Sequence, residues 1–182
     1  MQLLDTDKRF GLVSIANHWL AALLVIGMLC LGLYMGDLPK GPWKGELVAI
    51  HKSFGILVLI LGAIRIGWRL GNMRPEPVDT AQPWLRKTAR LLHVLLLAMM
   101  LALPLTGWAM SSAGDHPVSF FGLFQLPPLL AVDKGLGHIL GDVHSVLAWT
   151  LIALLSLHVG AALQHHFMAR DATLRRMLGR AV

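Results

Sequence analysis

The sequence predicts an all-α integral membrane protein: a four-helix bundle with both termini cytoplasmic, forming one transmembrane domain over residues 1–182. Three observations carry this expectation. Hydrophobic residues make up 55% of the chain and charged ones 14%, against about 45–50% and about 25% in soluble domains. Four apolar stretches each supply the roughly 20 residues needed to cross a bilayer core. Lys and Arg are also distributed unevenly between those stretches.

The first span covers about 13–35, "VSIANHWLAALLVIGMLCLGLYM", and the second about 47–68, "LVAIHKSFGILVLILGAIRIGW". The third covers about 89–110, "ARLLHVLLLAMMLALPLTGWAM", and the fourth about 143–167. These runs are too long and too uniformly apolar for barrel strands, which alternate in polarity over about ten residues. A helix also satisfies its own backbone in lipid. Pro104 removes one backbone donor and is expected to kink the third helix. The segment 111–142, with Pro117, Pro127, Pro128 and the patch "FFGLFQLPPLL", is expected to lie on the membrane surface or to cap what lies beneath it.

The basic residues set the orientation. Lys8, Arg9, Arg65, Arg69, Arg74, Arg86, Lys87, Arg90, Arg170, Arg175, Arg176 and Arg180 fall on one side of the spans. Lys40, Lys44, Lys52 and Lys134 fall on the other. Twelve against four places both termini in the cytoplasm. The net charge of +6 therefore reads as topology, with lipid as the partner and no nucleic-acid site expected. A single cysteine, Cys30, excludes an internal disulfide, a thiolate-held iron–sulfur cluster and covalent haem attachment. No cleavable signal is expected, and no phosphate loop, H-E-x-x-H or serine nucleophile motif is present. Trp43, Trp68, Trp84 and Trp108 read as interface anchors.

The histidines carry the chemistry. Ionisable groups inside a span are rare and mark functional positions. His144 and His158 are fourteen residues apart on the fourth span. Fourteen residues turn a helix about 1400°, some 40° short of four turns, and rise about 21 Å. The two rings therefore share a face, one toward each side of the bilayer. His51, early in the second span, matches the depth of His144. His18 and His93, early in the first and third spans, both match the depth of His158. Paired imidazoles across an apolar bundle are the ligand set of a bis-histidine haem b. Depth alone leaves His18 and His93 both open as partners of His158. Gly27, Gly55, Gly62, Gly107 and Gly160 make room for close helices or a flat macrocycle.

The pieces "SIANHW", "IHKSFG" and "DVHSVLAWTLIALLSLHVGAALQHHF" resemble the bacterial cytochrome b561 family over nearly the whole chain. That family is related to the cytochrome b subunits of hydrogenases and formate dehydrogenases. The resemblance implies two haems b, with His18 and His158 holding the cytoplasmic-side group and His51 and His144 the outer-side one. It implies electron transfer between a small periplasmic donor and the membrane quinone pool, and it admits superoxide as that donor.

His93, His165 and His166 are candidates for quinone binding or proton handling, and Lys52 for an outer carboxylate or an anionic donor. Arg65, Arg69 and Arg90 read as topology residues that are also suited to a haem propionate. His116 and His138 read as loop residues. Two other functions stand beside this one: a membrane-anchor subunit bound to a larger redox partner, and a histidine-lined metal transporter without haem. The transporter predicts acidic residues at mid-membrane depth, and the spans contain none.

Overall fold

The structure, a computed structural model, describes residues 2–72, 75–76 and 83–179. Among these residues are four helices long and apolar enough to cross a membrane: α1 (Leu12–Asp37), α2 (Pro42–Gly71), α3 (Pro83–Ala113) and α4 (Lys134–Gln164). α1, α2 and α3 extend beyond their apolar runs at both ends, and α4 does so at its start. Hydropathy marks only the part that suits hydrocarbon, whereas the backbone ladder continues until a cap or glycine ends it. α4 continues into a π-helical turn, His165–Ala169, and a short helix α5 (Thr173–Met177) follows.

The helix starts are set by local chemistry. Asp5 folds back over the start of α1, where one carboxylate oxygen accepts the Gly11 N–H at 2.6 Å and the other the Ser14 hydroxyl at 2.6 Å. A Cβ on Gly11 would lie 2.3 Å from the Leu3 carbonyl oxygen, so only glycine fits there. α2 opens on Pro42, whose missing N–H costs nothing in a first turn. α4 is capped by Asp133, whose side chain accepts the Leu136 N–H at 3.0 Å.

The helices pack in sequence, α1 on α2, α2 on α3 and α3 most extensively on α4. Among the described residues, neither α1 nor α2 packs extensively on α4. A seam therefore runs down the bundle between α4 and the first two helices. At mid-depth it is closed by Ala21, Val25, Val58, Met100 and Leu151, drawn from all four helices. α3 remains helical through Pro104. Pro104 deprives the Met100 carbonyl of its helical donor. Gly62 lets α2 close over that point, since a Cβ there would sit 3.1–3.3 Å from Leu101, the Met100 side chain and the Met100 oxygen.

The loop after α3 folds into a hairpin, β1 (Val118–Phe120) and β2 (Phe124–Leu126), with Ser119 opposite Gln125. Its tip has Phe121 at φ 51° and Gly122 at φ 74°, the two left-handed positions that a tight hairpin turn requires. Of the two expectations for this loop, capping is what the structure has. The buried Ser53 hydroxyl accepts the Phe121 N–H at 3.0 Å and lies 3.0 Å from the Ser119 and Ala49 carbonyls. Phe121 meets Phe54 edge to face at 5.1 Å. The ring contact and the Ser53 bond offset the cost of a left-handed phenylalanine.

At the opposite end, Trp19 Nε1 donates to the Met177 carbonyl at 2.8 Å. Arg176 donates to the carbonyls of Lys8 at 2.6 Å and Glu76 at 2.8 Å. Both termini therefore lie at one end of the bundle, hereafter the terminal end, and the hairpin lies at the other. Arg74 and Arg180 from the charge count lie outside the described residues.

Ser53 is the point on which the hairpin hangs. Ser53→Ala should cost about 1–2 kcal/mol, the usual loss for a buried hydroxyl with partners left behind. Thermal unfolding in detergent measures this, and limited proteolysis should show faster cleavage between residues 114 and 133.

Candidate cofactor-binding site

Each histidine singled out in the spans faces another across the seam or beside it. At the terminal end the rings of His18 and His158 are 6.2 Å apart, centroid to centroid, with planes at 62°. At the hairpin end His51 and His144 are 6.4 Å apart, with planes at 75°. These pairs join α1 to α4 and α2 to α4, the helices that do not otherwise pack closely. A metal–imidazole bond is about 2 Å, and a ring nitrogen lies about 1.2 Å from its ring centre, so imidazoles on opposite faces of one metal have centres about 6 Å apart. Both pairs meet that requirement. His93 lies closer to His158, at 5.2 Å with planes at 80°.

Hydrogen bonds fix the rings. His144 Nδ1 lies 3.0 Å from the Leu103 carbonyl and 3.2 Å from the Thr106 hydroxyl. The carbonyl can only accept, so Nδ1 carries the proton and Nε2 keeps its lone pair. Gly107 gives that ring its place, since a Cβ there would stand 3.1 Å from His144 Cε1. Gly32 does the same for His51, with a Cβ 3.3 Å from its Cε1. His51 Nδ1 is buried and has no hydrogen-bond partner among the described residues. His18 Nδ1 accepts from Arg65 Nη2 at 3.0 Å, and Arg65 Nη1 donates to Asn17 Oδ1 at 3.0 Å.

The remaining predicted residues fall in different places. Lys52 Nζ lies 3.4 Å from the His116 and Pro117 carbonyls, so it ties the hairpin segment to α2. His165 and His166 form the start of the π turn, and His165 Nδ1 pairs with Asp171 Oδ2. Gly27 and Gly160 face open space, Gly55 touches Met28, and Gly62 serves helix packing. Trp68 and Trp108 are hydrogen-bonded inward, to the Ser14 hydroxyl and the Pro127 carbonyl. Trp43 and Trp84 are exposed.

Sequence reasoning did not single out Thr106, Leu103, Gly32, Asn17 or Asp171. Gly32 had a legible signal, a glycine in an apolar run, and Asn17 adjoins His18. The others depend on contacts between helices or on a turn.

Fold and histidines together define a class: an apolar four-helix bundle with one cross-seam imidazole pair toward each end. Comparison with known proteins makes this specific. Residues 9–180 match the family model described as prokaryotic cytochrome b561, and the chain belongs to that family. It is 37% identical over 182 residues to the Escherichia coli K12 protein named cytochrome b561 homolog 2, covering 100% of this chain and 97% of that one. It is 31% identical over 174 residues to E. coli cytochrome b561 homolog 1, covering 95% and 98%. It is also 31% identical over 173 residues to a Yersinia pestis protein named probable superoxide oxidase CybB, covering 94% and 96%. The protein is thus a bacterial membrane electron-transfer cytochrome, and its family implies haem b.

Two predictions follow from this geometry. Gly107→Val places a branched side chain against His144 and should remove about half the haem, read as haem per chain by pyridine haemochrome. The second concerns Asp171, outside the spans. Burial pushes its carboxyl up, but bonds from Thr173 and His165 outweigh this and hold it below the usual 3.8. A carboxyl depressed by folding adds stability above its unfolded value and loses it as pH falls through the lower folded value. The wild type should therefore melt above Asp171→Asn at neutral pH, and the gap should close as pH falls below the usual carboxylate range.

Proposed function

We propose that the chain carries electrons across the bacterial inner membrane, from a small donor at the hairpin end to a quinone at the terminal end. It does so with two haems b, held by His51 with His144 and by His18 with His158. The observation that carries the reading is the pair of cross-seam separations, 6.4 and 6.2 Å, between helices that do not otherwise pack closely. When bound, haem b supplies one-electron exchange between ferric and ferrous iron, and the chain supplies everything else.

His144 offers Nε2 from its side of the seam, whereas His18, whose Nδ1 accepts from Arg65, offers a lone pair to the seam once Arg65 turns to carboxylates of the bound group. Leu103 and Thr106 orient His144, and Gly107 and Gly32 keep the faces of the hairpin-end rings clear. Arg65 puts a fixed positive charge beside the terminal-end pair, where it offsets carboxylates of the bound group. The hairpin and Lys52 cover the opposite end. With twelve Lys and Arg against four, the terminal end is cytoplasmic and the hairpin end periplasmic.

Likeness to a protein named probable superoxide oxidase supports superoxide as the donor. The four hairpin-side lysines, Lys40, Lys44, Lys52 and Lys134, are the cations available to attract such an anion. The transporter calls for acidic residues at mid-membrane depth, and the four apolar runs contain none.

The test is a reduced-minus-oxidised visible spectrum with a haem count. Two low-spin haems b per chain are expected, falling to one in His144→Ala and in His18→Ala, while His93→Ala keeps both. A colourless protein after haem-replete expression, or two haems retained in His144→Ala, would sink the assignment. A larger partner that always copurifies would move the protein to the subunit role.

A further inference from the structure

We propose that His165 and Asp171 form an oriented acid–base pair that delivers protons to the quinone at the terminal end. This rests on the quinone-linked reading above.

The pair is built by a break in α4. α4 gives way to a π turn at His165, and Arg170 closes that turn in a left-handed conformation at φ 52°. The His165 carbonyl accepts both the Arg170 and the Asp171 N–H, the latter at 3.2 Å. This reversal carries Asp171 back beneath the ring, and its Oδ2 meets His165 Nδ1. Its Oδ1 accepts the Thr173 N–H at 2.8 Å. The Asp171 side chain is 5% exposed and that of His165 34%. A buried carboxylate with both oxygens engaged thus holds a ring that solvent reaches. Single-turn π segments of this kind are common at functional sites.

The position suits a quinone accepting electrons at the terminal end. From His158 to His165 is seven residues, which return a helix to within about 20° of the same face and advance it about 10 Å. His165 therefore lies on the face of α4 that carries His144 and His158, below the terminal-end pair. Among the described residues, the titratable groups of its own turn, the link and α5 are His166, Arg170, Asp171, Arg175 and Arg176. Asp171 bonds the ring, while Arg176 is drawn away to the Lys8 and Glu76 carbonyls.

The balance is simple. Reducing one quinone to the quinol takes two electrons, supplied singly by the donor, and two protons from the terminal side. For each proton, the His165 Nε2–H bond breaks as a quinone O–H bond forms, and the ring is then reprotonated from solvent. Asp171 fixes Nδ1 as the protonated nitrogen of the neutral ring and stabilises the cation formed on reprotonation. It is a positioning residue.

The experiment uses the full-length haem-loaded protein in detergent, reduced beforehand and mixed with a water-soluble benzoquinone. Reoxidation of the haem band is followed against pH. Asp171→Asn should slow reoxidation about tenfold at saturating quinone and move the pH limb downward, because an amide no longer favours the imidazolium. Haem content and the half-saturating quinone concentration should not change. Asp171→Glu should restore most of the rate, and His165→Gln should abolish the limb. A pH profile identical to wild type in Asp171→Asn, or an intact limb in His165→Gln, would overturn the inference while leaving the quinone reading in place. Loaded protein that does not reduce quinone at all overturns both.

Discussion

An imidazole inside hydrocarbon has two ring nitrogens to satisfy and no water to do it. This chain puts five histidines at such depths, and the bundle is organised around answering them. His144 gives its Nδ1 proton to a carbonyl of α3, and His18 receives a guanidinium from α2. With one nitrogen fixed, the rest of each ring is committed to the seam. The order of helix contact follows from the same constraint. α4 is held firmly by α3, which supplies the fixed partners of His144, and loosely by α1 and α2, which supply the opposing rings.

The sequence is most informative where a single helix carries the signal. Hydropathy and length locate the spans because lipid acts on every residue of a span alike. The fourteen-residue spacing shows that His144 and His158 share a face because a helix has a fixed turn per residue. Depth alone leaves His18 and His93 equivalent. What separates them is lateral distance across the bundle, 6.2 against 5.2 Å to His158, and a one-dimensional pattern does not contain it. The choice of His18 over His93 comes from the family resemblance.

Other features are illegible for related reasons. "FFGLFQL" looks like any apolar loop, and its hairpin depends on two left-handed residues held by Ser53, which lies 68 residues from Phe121. Lys52 reads as a free cation in the sequence, yet loop carbonyls meet it in the fold. The π turn has no composition of its own. Asp171 gains a role only because the backbone doubles back there. In each case a local residue acquires its function from a distant or reversed partner.

The spacing of the two imidazole pairs can be argued one step further. Eleven residues would also return His144 and His158 to nearly one face, at about 16 Å, and would shorten the path between the pairs. Fourteen leaves a further turn, and Leu151 stands halfway along it. Leu151 is 3% exposed and packs with Ala21, Val25, Val58 and Met100. None of these side chains bears a hydrogen-bond donor, and the Met100 thioether is at most a weak acceptor, so this layer offers a proton no chain of side-chain donors and acceptors to follow. Polar groups resume on either side of it, with Thr106 and His144 above and Arg65, His18 and His93 below. The longer spacing therefore separates two polar ends by an apolar seal. An electron needs no bonded chain to pass such a layer, and a proton does. A layer built this way suits a membrane electron-transfer cytochrome, since it offers protons no bonded route across.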